Sequence, residues 1–258
     1  MPTHHGGRHE HGQNFLTDGA VIDRVVDLAR RTDGPIIEIG PGAGALTDPL
    51  LRLGRPVTAV EIDGGHARRL RGRLPAVTVV HGDFLRHRLP AEPHAVVGNL
   101  PFHLTTAVLR KLLHAPHWTG AVLIVQWEVA RRRAGVGGAT MMTAQWSPWY
   151  DFGLAGRIPA SAFTPRPSVD AGLLTITRRD APLIPPARRR DYAAFVHAVF
   201  TGRGHGLPEV LAGVAPKHRR AEARRWAAGR GRRGTPLPRD LSAEDWVEAF
   251  ERFAQSAT

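Results

Sequence analysis

The chain has 258 residues, 42% hydrophobic and 22% charged, enough material for one large domain and a small one. It has no cysteine, which excludes disulfides, thiolate metal sites and cysteine nucleophiles. Its formal charge of +12, from 35 basic against 23 acidic residues, favours a polyanionic partner, because cationic side chains release counterions from phosphates.

The start is rich in His and Gly, and residues 1–12 read as a flexible tail. His4, His5, His9 and His11 are metal-ligand types, but nothing nearby would order them, and no metal is expected. The start lacks the apolar stretch of a secretory signal, and no apolar run approaches the ~20 residues of a membrane span. A cytoplasmic chain with no membrane contact is expected.

Between Gly19 and Arg30, the spacing of Val21, Ile22, Val25, Val26 and Leu28 predicts an amphipathic helix. Apolar runs at 35–39, 57–62, 77–80, 94–98 and 120–126 then read as strands, with helices at 45–53, 64–73 and 103–113 between them. Further strands are expected near 150–158 and 171–177. Such alternation predicts an α/β fold with a mostly parallel sheet covered on both faces. A boundary follows at Arg178-Arg179-Asp180-Ala181-Pro182, reinforced by Pro185-Pro186. Beyond it, helices are expected at 187–201, 207–213, 218–228 and 242–254, as a small all-α C-terminal domain. The expected organisation is therefore a tail (1–12), a catalytic domain (13–178) and a helical basic domain (179–258).

Gly40, Gly42 and Gly44 follow the first long strand, where glycine lets the backbone approach a ligand. The run Gly40-Pro41-Gly42-Ala43-Gly44-Ala45 also satisfies a dinucleotide pattern. The glycines thus indicate an adenosine-containing cofactor without choosing between a nicotinamide and S-adenosylmethionine. Glu61 ends the next strand, where its carboxylate can accept from both ribose hydroxyls. Asp83 follows the third, where it can accept from an adenine amine.

The segment Asn99-Leu100-Pro101-Phe102 is more specific. An adenine amine is a poor nucleophile because its lone pair is delocalised into the ring. The Asn99 side-chain oxygen and the Leu100 carbonyl, fixed by Pro101, can accept from its two N–H groups, and Phe102 can stack on the ring. Asn99, Leu100, Pro101 and Phe102 are the expected catalytic residues, with Phe163 as a second aromatic against the base. The base must be unpaired or flipped out to reach them.

These residues, with Gln13-Asn14-Phe15, Glu38 to Gly44, Glu61-Ile62-Asp63 and Gly82-Asp83, resemble the rRNA adenine-N6 methyltransferases, specifically the Erm-type resistance methylases. Gln126-Trp127-Glu128, the run Val129-Ala130-Arg131-Arg132 and Phe163 to Asp170 extend the resemblance across most of the first domain. It implies a Rossmann-like class I methyltransferase domain, S-adenosyl-L-methionine as donor, and one unpaired adenosine in the peptidyl-transferase region of 23S rRNA as acceptor. It also implies resistance to macrolides, lincosamides and streptogramin B, and a monomer is the default. By position, Gln13, Asn14, Leu16, Glu38, Gly40, Gly42, Glu61, Ile62, Asp83, Phe84 and Asn99 would surround the cofactor. Arg131 and Arg132, together with Arg224, Arg225, Arg232 and Arg233 of the basic block between Lys217 and Arg239, would grip RNA. The dimethyladenosine transferases of small-subunit (16S) rRNA share these motifs and are the alternative. A non-enzymatic rRNA-binding protein on the same fold is the rival from another class. The stretch Gly229-Arg230-Gly231-Arg232-Arg233-Gly234 matches no motif of either family.

Overall fold

The computed structural model describes residues 14–230 and 234–254. The histidines of the tail, Gln13, Arg232 and Arg233 lie outside them. In chain order the elements are β1 (Phe15–Leu16), α1 (Gly19–Arg30), β2 (Ile36–Ile39), α2 (Thr47–Leu51), β3 (Val57–Glu61), α3 (Gly64–Arg73), β4 (Thr78–His81) and β5 (His94–Asn99). They continue with α4 (Thr105–His114), β6 (Trp118–Gln126), α5 (Trp127–Arg133), α6 (Met141–Trp146), β7 (Tyr150–Ile158), β8 (Phe163–Thr164) and β9 (Ala171–Arg178). Four helices close the chain: α7 (Arg189–Thr201), α8 (Leu207–Val214), α9 (Arg220–Ala228) and α10 (Ala243–Phe253).

Local chemistry sets the helix starts. Asp18 Oδ1 accepts from Val21 N at 3.1 Å and opens α1, which buries Val25, Val26 and Ala29. Asp63 does the same for α3, accepting from His66 N at 2.8 Å. β2 is buried at all four positions and β5 at its first five, as strands covered on both faces must be.

Seven strands form one sheet in the order β4-β3-β2-β5-β6-β9-β7. The pairs β2–β3, β2–β5, β3–β4 and β5–β6 are parallel. From β2 the chain proceeds outward to β3 and β4 on one side, then returns to place β5 on the other. The loops leaving β2 and β5 therefore diverge and open a crevice at the carboxyl ends of the strands, where α/β sheets bind ligands. Ile39 pairs with Gly98 at this point. A Cβ on Gly98 would lie 2.9 Å from Ile39 Cβ, so glycine permits the close approach of the two strands.

The chain divides into two compact units, one running up to Ala130 with Leu154–Thr175, the other Arg131–Gly153 with Ile176 onward. The sequence reading placed a single boundary at 178–179, whereas residues 131–153 group with the C-terminal helices. Tyr192 of α7 explains the grouping, since its hydroxyl donates to Ala144 O at 2.9 Å and its ring meets Trp149 edge-on at 5.6 Å. Gln145 Nε2 also donates to Ala193 O at 3.1 Å. The expected helix at 45–53 is shorter, because residues 41–46 form the turn that carries the glycine loop. The helices α5 and α6 had not been expected. They have seven and six residues, too short for a periodic signal, and the glycine-rich run 134–138 parts them.

Candidate active site

The two divergent loops build a narrow cavity of about 50 Å³ in the first unit. Asn14, Phe15, Gly40, Gly42, Asn99, Leu100, Pro101, Phe102 and Phe163 line it. All had been named from the sequence, Phe15 only as part of the Gln13-Asn14-Phe15 motif and without a role of its own. In the two-residue strand Leu16 is buried in the core, and its neighbour Phe15 points the other way, into the cavity.

β1 pairs antiparallel with β8, Phe15 opposite Thr164 and Leu16 opposite Phe163. This two-residue ladder brings the N-terminal segment to Phe163, and Thr17 N extends it by donating to Ala162 O at 2.9 Å. Asn14 then sits beside β5, where its carbonyl accepts from Asn99 Nδ2 at 2.8 Å. That bond consigns the Asn99 nitrogen to the strap and leaves Oδ1 without a partner among the described residues. Leu100 N donates to Ile124 O at 3.0 Å, and the following Pro101 disfavours helical backbone at Leu100. Two acceptors, Asn99 Oδ1 and the Leu100 carbonyl, are thus held at the end of one strand. Phe102 is half-buried and Phe163 buried, both lining the same cavity.

The glycine loop is locked to β3. Gly40 N donates to Val60 O at 2.9 Å, and Gly42 N to Glu61 Oε2 at 2.8 Å. Glu61 Oε1 accepts from Asp63 N, also at 2.8 Å. Gly42 has φ +54°, and a Cβ there would lie 2.8 Å from the Phe15 ring, so only glycine fits beneath that aromatic. Glu61 is 1% exposed, while the next residue, Ile62, is 50% exposed and offers an open apolar side chain. Asp83 Oδ1 accepts from Leu85 N at 2.8 Å and starts a short turn; its Oδ2 has no partner among the described residues. Phe84 is buried, with Lys111 Nζ 5.2 Å from its ring centroid.

Glu38, like Glu61, is buried, 1% exposed. Its Oε2 has no hydrogen-bond partner among the described residues. Burial pushes its carboxyl up to about 8; the Thr47 hydroxyl opposes this shift and the neighbouring Glu61 adds to it.

In the second unit, Arg224 and Arg225 are exposed on α9. Other cations of that block are engaged. Arg230 pairs with Asp245 and Glu248 at 2.5 Å each, and Arg219 with Glu222 at 3.2 Å. Arg132 is exposed, whereas Arg131 has a buried Nε and a guanidinium packed against Gly137. Among the described residues no group of His, Cys, Asp and Glu is arranged to hold a metal, and no helix is long and apolar enough to cross a membrane.

The family described as "Ribosomal RNA adenine dimethylase" matches residues 4–254. An rRNA adenine N-6-methyltransferase from Corynebacterium diphtheriae is 60% identical over 213 residues, covering 82% of this chain and 84% of the relative. The mycinamicin-resistance protein MyrB of Micromonospora griseorubida is 45% identical over 255 residues, covering 98% and 81%. The crystal structure of the 23S rRNA methyltransferase ErmE superposes with a TM-score of 0.84 at 35% identity, covering 94% of this chain and all of that one. Two fixed acceptors between aromatic walls, a glycine loop clamped by a buried acid, and these matches along nearly the whole sequence lead to one conclusion: the chain belongs to the ribosomal RNA adenine dimethylase family and is an rRNA adenine methyltransferase.

Proposed function

We propose that the chain methylates N6 of one unpaired adenosine in the peptidyl-transferase region of 23S rRNA, with S-adenosylmethionine as donor, and so confers resistance to macrolides, lincosamides and streptogramin B. The observation that carries the reading is the Asn99 amide, held by the Asn14 carbonyl so that Oδ1 remains an acceptor in a cavity walled by Phe102 and Phe163.

The residues present fit the cofactor. The backbone of Gly40 and Gly42 lines the cavity with no side chain in the way, and Glu61 offers a buried carboxylate whose two oxygens each hold only one backbone N–H. A carboxylate has about four acceptor sites, so both oxygens can also take a ribose hydroxyl. Ile62 would pack on the adenine ring, Asp83 Oδ2 would accept from its amine, and the unpartnered Glu38 Oε2 would face the amino-acid end. When bound, S-adenosylmethionine supplies an electrophilic methyl group on a sulfonium.

The chain's own work is positioning and charge. Asn99 Oδ1 and the Leu100 carbonyl accept from the two N–H groups of the target amine and draw its nitrogen toward tetrahedral geometry. The nitrogen gains positive charge as it is methylated, and two fixed carbonyl dipoles stabilise that charge. Phe102 and Phe163 hold the ring so that the nitrogen meets the methyl group in line. Methylation leaves the nitrogen a strongly acidic ammonium, which releases its proton directly to solvent without a general base.

It would act as a monomer in the cytoplasm, where ribosomes are made. The second unit would grip RNA through Arg224 and Arg225. Its expected partners Arg232 and Arg233 lie outside the described residues. The resistance reading is supported by MyrB, 45% identical along 98% of the chain, and by the ErmE match. The test is transfer of labelled methyl to purified 23S and 16S rRNA. Label in N6-methylated adenosine of 23S rRNA alone is expected. Label in 16S rRNA alone would move the protein to the small-subunit enzymes, and RNA binding without transfer would restore the non-enzymatic reading.

A further inference from the structure

Only two of the chain's basic residues are lysines, Lys111 and Lys217. Lys111 lies on α4 and is half-buried. Its Nζ donates to Leu85 O at 3.0 Å and to His87 O, and sits 5.2 Å from the Phe84 ring centroid. Phe84, Leu85 and His87 belong to the turn that begins at Asp83.

That turn has weak means of its own. Arg86 N and His87 N both donate to Asp83 O at 3.0 Å, and Leu85 N donates to Asp83 Oδ1 at 2.8 Å. A single helical turn fixes several backbone torsions for very few bonds, so in isolation it is marginal. Its start is capped by Asp83 itself. Its end presents the carbonyls of Leu85 and His87, and a cation on such carbonyls closes the turn. Lys111 supplies that cation from a different element.

We infer that Lys111 is a positioning residue for the adenine end of the cofactor site: it pins the Asp83–His87 turn so that the Asp83 carboxylate faces the adenine amine. The inference rests on the reading of Asp83 as acceptor for that amine. An ammonium suits the task because three hydrogens on one nitrogen can serve two carbonyls while the charge lies against an aromatic ring. Burial lowers the Lys111 pKa while the Asp83 charge opposes that shift, which places Asp83 and Lys111 within electrostatic reach. α4 begins just beyond the Asn99–Phe102 loop, so one helix braces the base site at its start and the adenine turn at its end.

The test compares equilibrium binding of S-adenosylhomocysteine with its inosine analogue, which carries a carbonyl in place of the adenine amine, by calorimetry on the full chain. The native protein should prefer the adenosine form at least tenfold. Lys111→Met should bring that preference to within about threefold, and Lys111→Gln, which keeps one carbonyl bond, should fall between. In turnover, Lys111→Met should raise KM for S-adenosylmethionine while leaving kcat near the native value. If Lys111→Met does not fold, native selectivity in Lys111→Gln overturns the inference. Full selectivity in a folded Lys111→Met overturns it directly, provided that Asp83→Ala loses selectivity. If Asp83→Ala keeps it, the underlying reading of Asp83 fails instead, and the role of Lys111 falls with it.

Discussion

Asn99 donates through Nδ2 to the carbonyl of Asn14 at 2.8 Å, across 85 positions of sequence. The bond ties the N-terminal strap to the end of β5 and sets which way the amide faces. Reversing the amide would set the Asn99 oxygen against the Asn14 carbonyl oxygen, so Oδ1 is kept for a ligand.

Asn99→Ala should therefore fold normally and lose one of the two acceptors. A preorganised polar group of this kind is worth roughly 100-fold in kcat. Single-turnover methyl transfer and a thermal melt check both halves. Near-native turnover would remove Asn99 from the chemistry.

Gly42→Ala places a Cβ 2.8 Å from the Phe15 ring at a φ of +54°. The left-handed backbone costs about 1–2 kcal/mol for an alanine, and displacement of Phe15 adds to it. Both a lower Tm and weaker S-adenosylhomocysteine binding are expected. Loss of binding with an unchanged Tm would mean that the loop adapts and only the ligand is excluded.

The glycine loop, the parallel strands and the Asn99–Phe102 segment were legible because each is local, a short pattern with its own backbone chemistry. Phe15 was harder. Its place depends on the β1–β8 ladder, which joins Leu16 to Phe163 over nearly 150 residues with two residues on each side. No periodicity reveals so short a pair. The grouping of residues 131–153 with the C-terminal helices was likewise hidden, since Ala144 reaches Tyr192 only in the folded chain. Arg219 and Arg230 read as surface cations like Arg224, yet ion pairs with Glu222, Asp245 and Glu248 engage them.

Glu61→Gln keeps the shape and leaves one acceptor oxygen where the carboxylate has two. Either Gly42 N or Asp63 N then loses its partner. A ribose hydroxyl held by the carboxylate also loses its charged acceptor, and such a hydrogen bond is worth about 1.5–3 kcal/mol, so cofactor affinity should fall by one to two orders of magnitude. Equal affinities would mean that Glu61 only braces the loop.

Stability should carry a signature of Glu38. Its pKa rises from the ordinary value of 4.5 to about 8 on folding, so between those values the folded chain holds a proton that the unfolded chain has released. Its contribution is fully present below pH 4.5 and is lost as pH rises toward 8, at about 1.4 kcal/mol per pH unit. Glu38→Gln should remove that slope. Denaturant unfolding at pH 5, 6, 7 and 8 reads it directly, and parallel curves for the two proteins would place the proton elsewhere.

Arg224 and Arg225 differ from Arg230 in salt dependence. Replacing both exposed arginines by Ala should lower the slope of log affinity for rRNA against log salt by one to two phosphate contacts, each about 0.7–0.9. Arg230→Ala should destabilise the second unit, where it pairs with Asp245 and Glu248, and leave the slope unchanged.

The most direct measurement is primer extension across 23S rRNA from cells expressing the protein, beside cells expressing Asn99→Ala. A new stop at one adenosine of the peptidyl-transferase region, strong with the native chain and faint with the variant, is expected. Dimethylated adenosines near the 3′ end of 16S rRNA with no new stop in 23S rRNA would contradict the account.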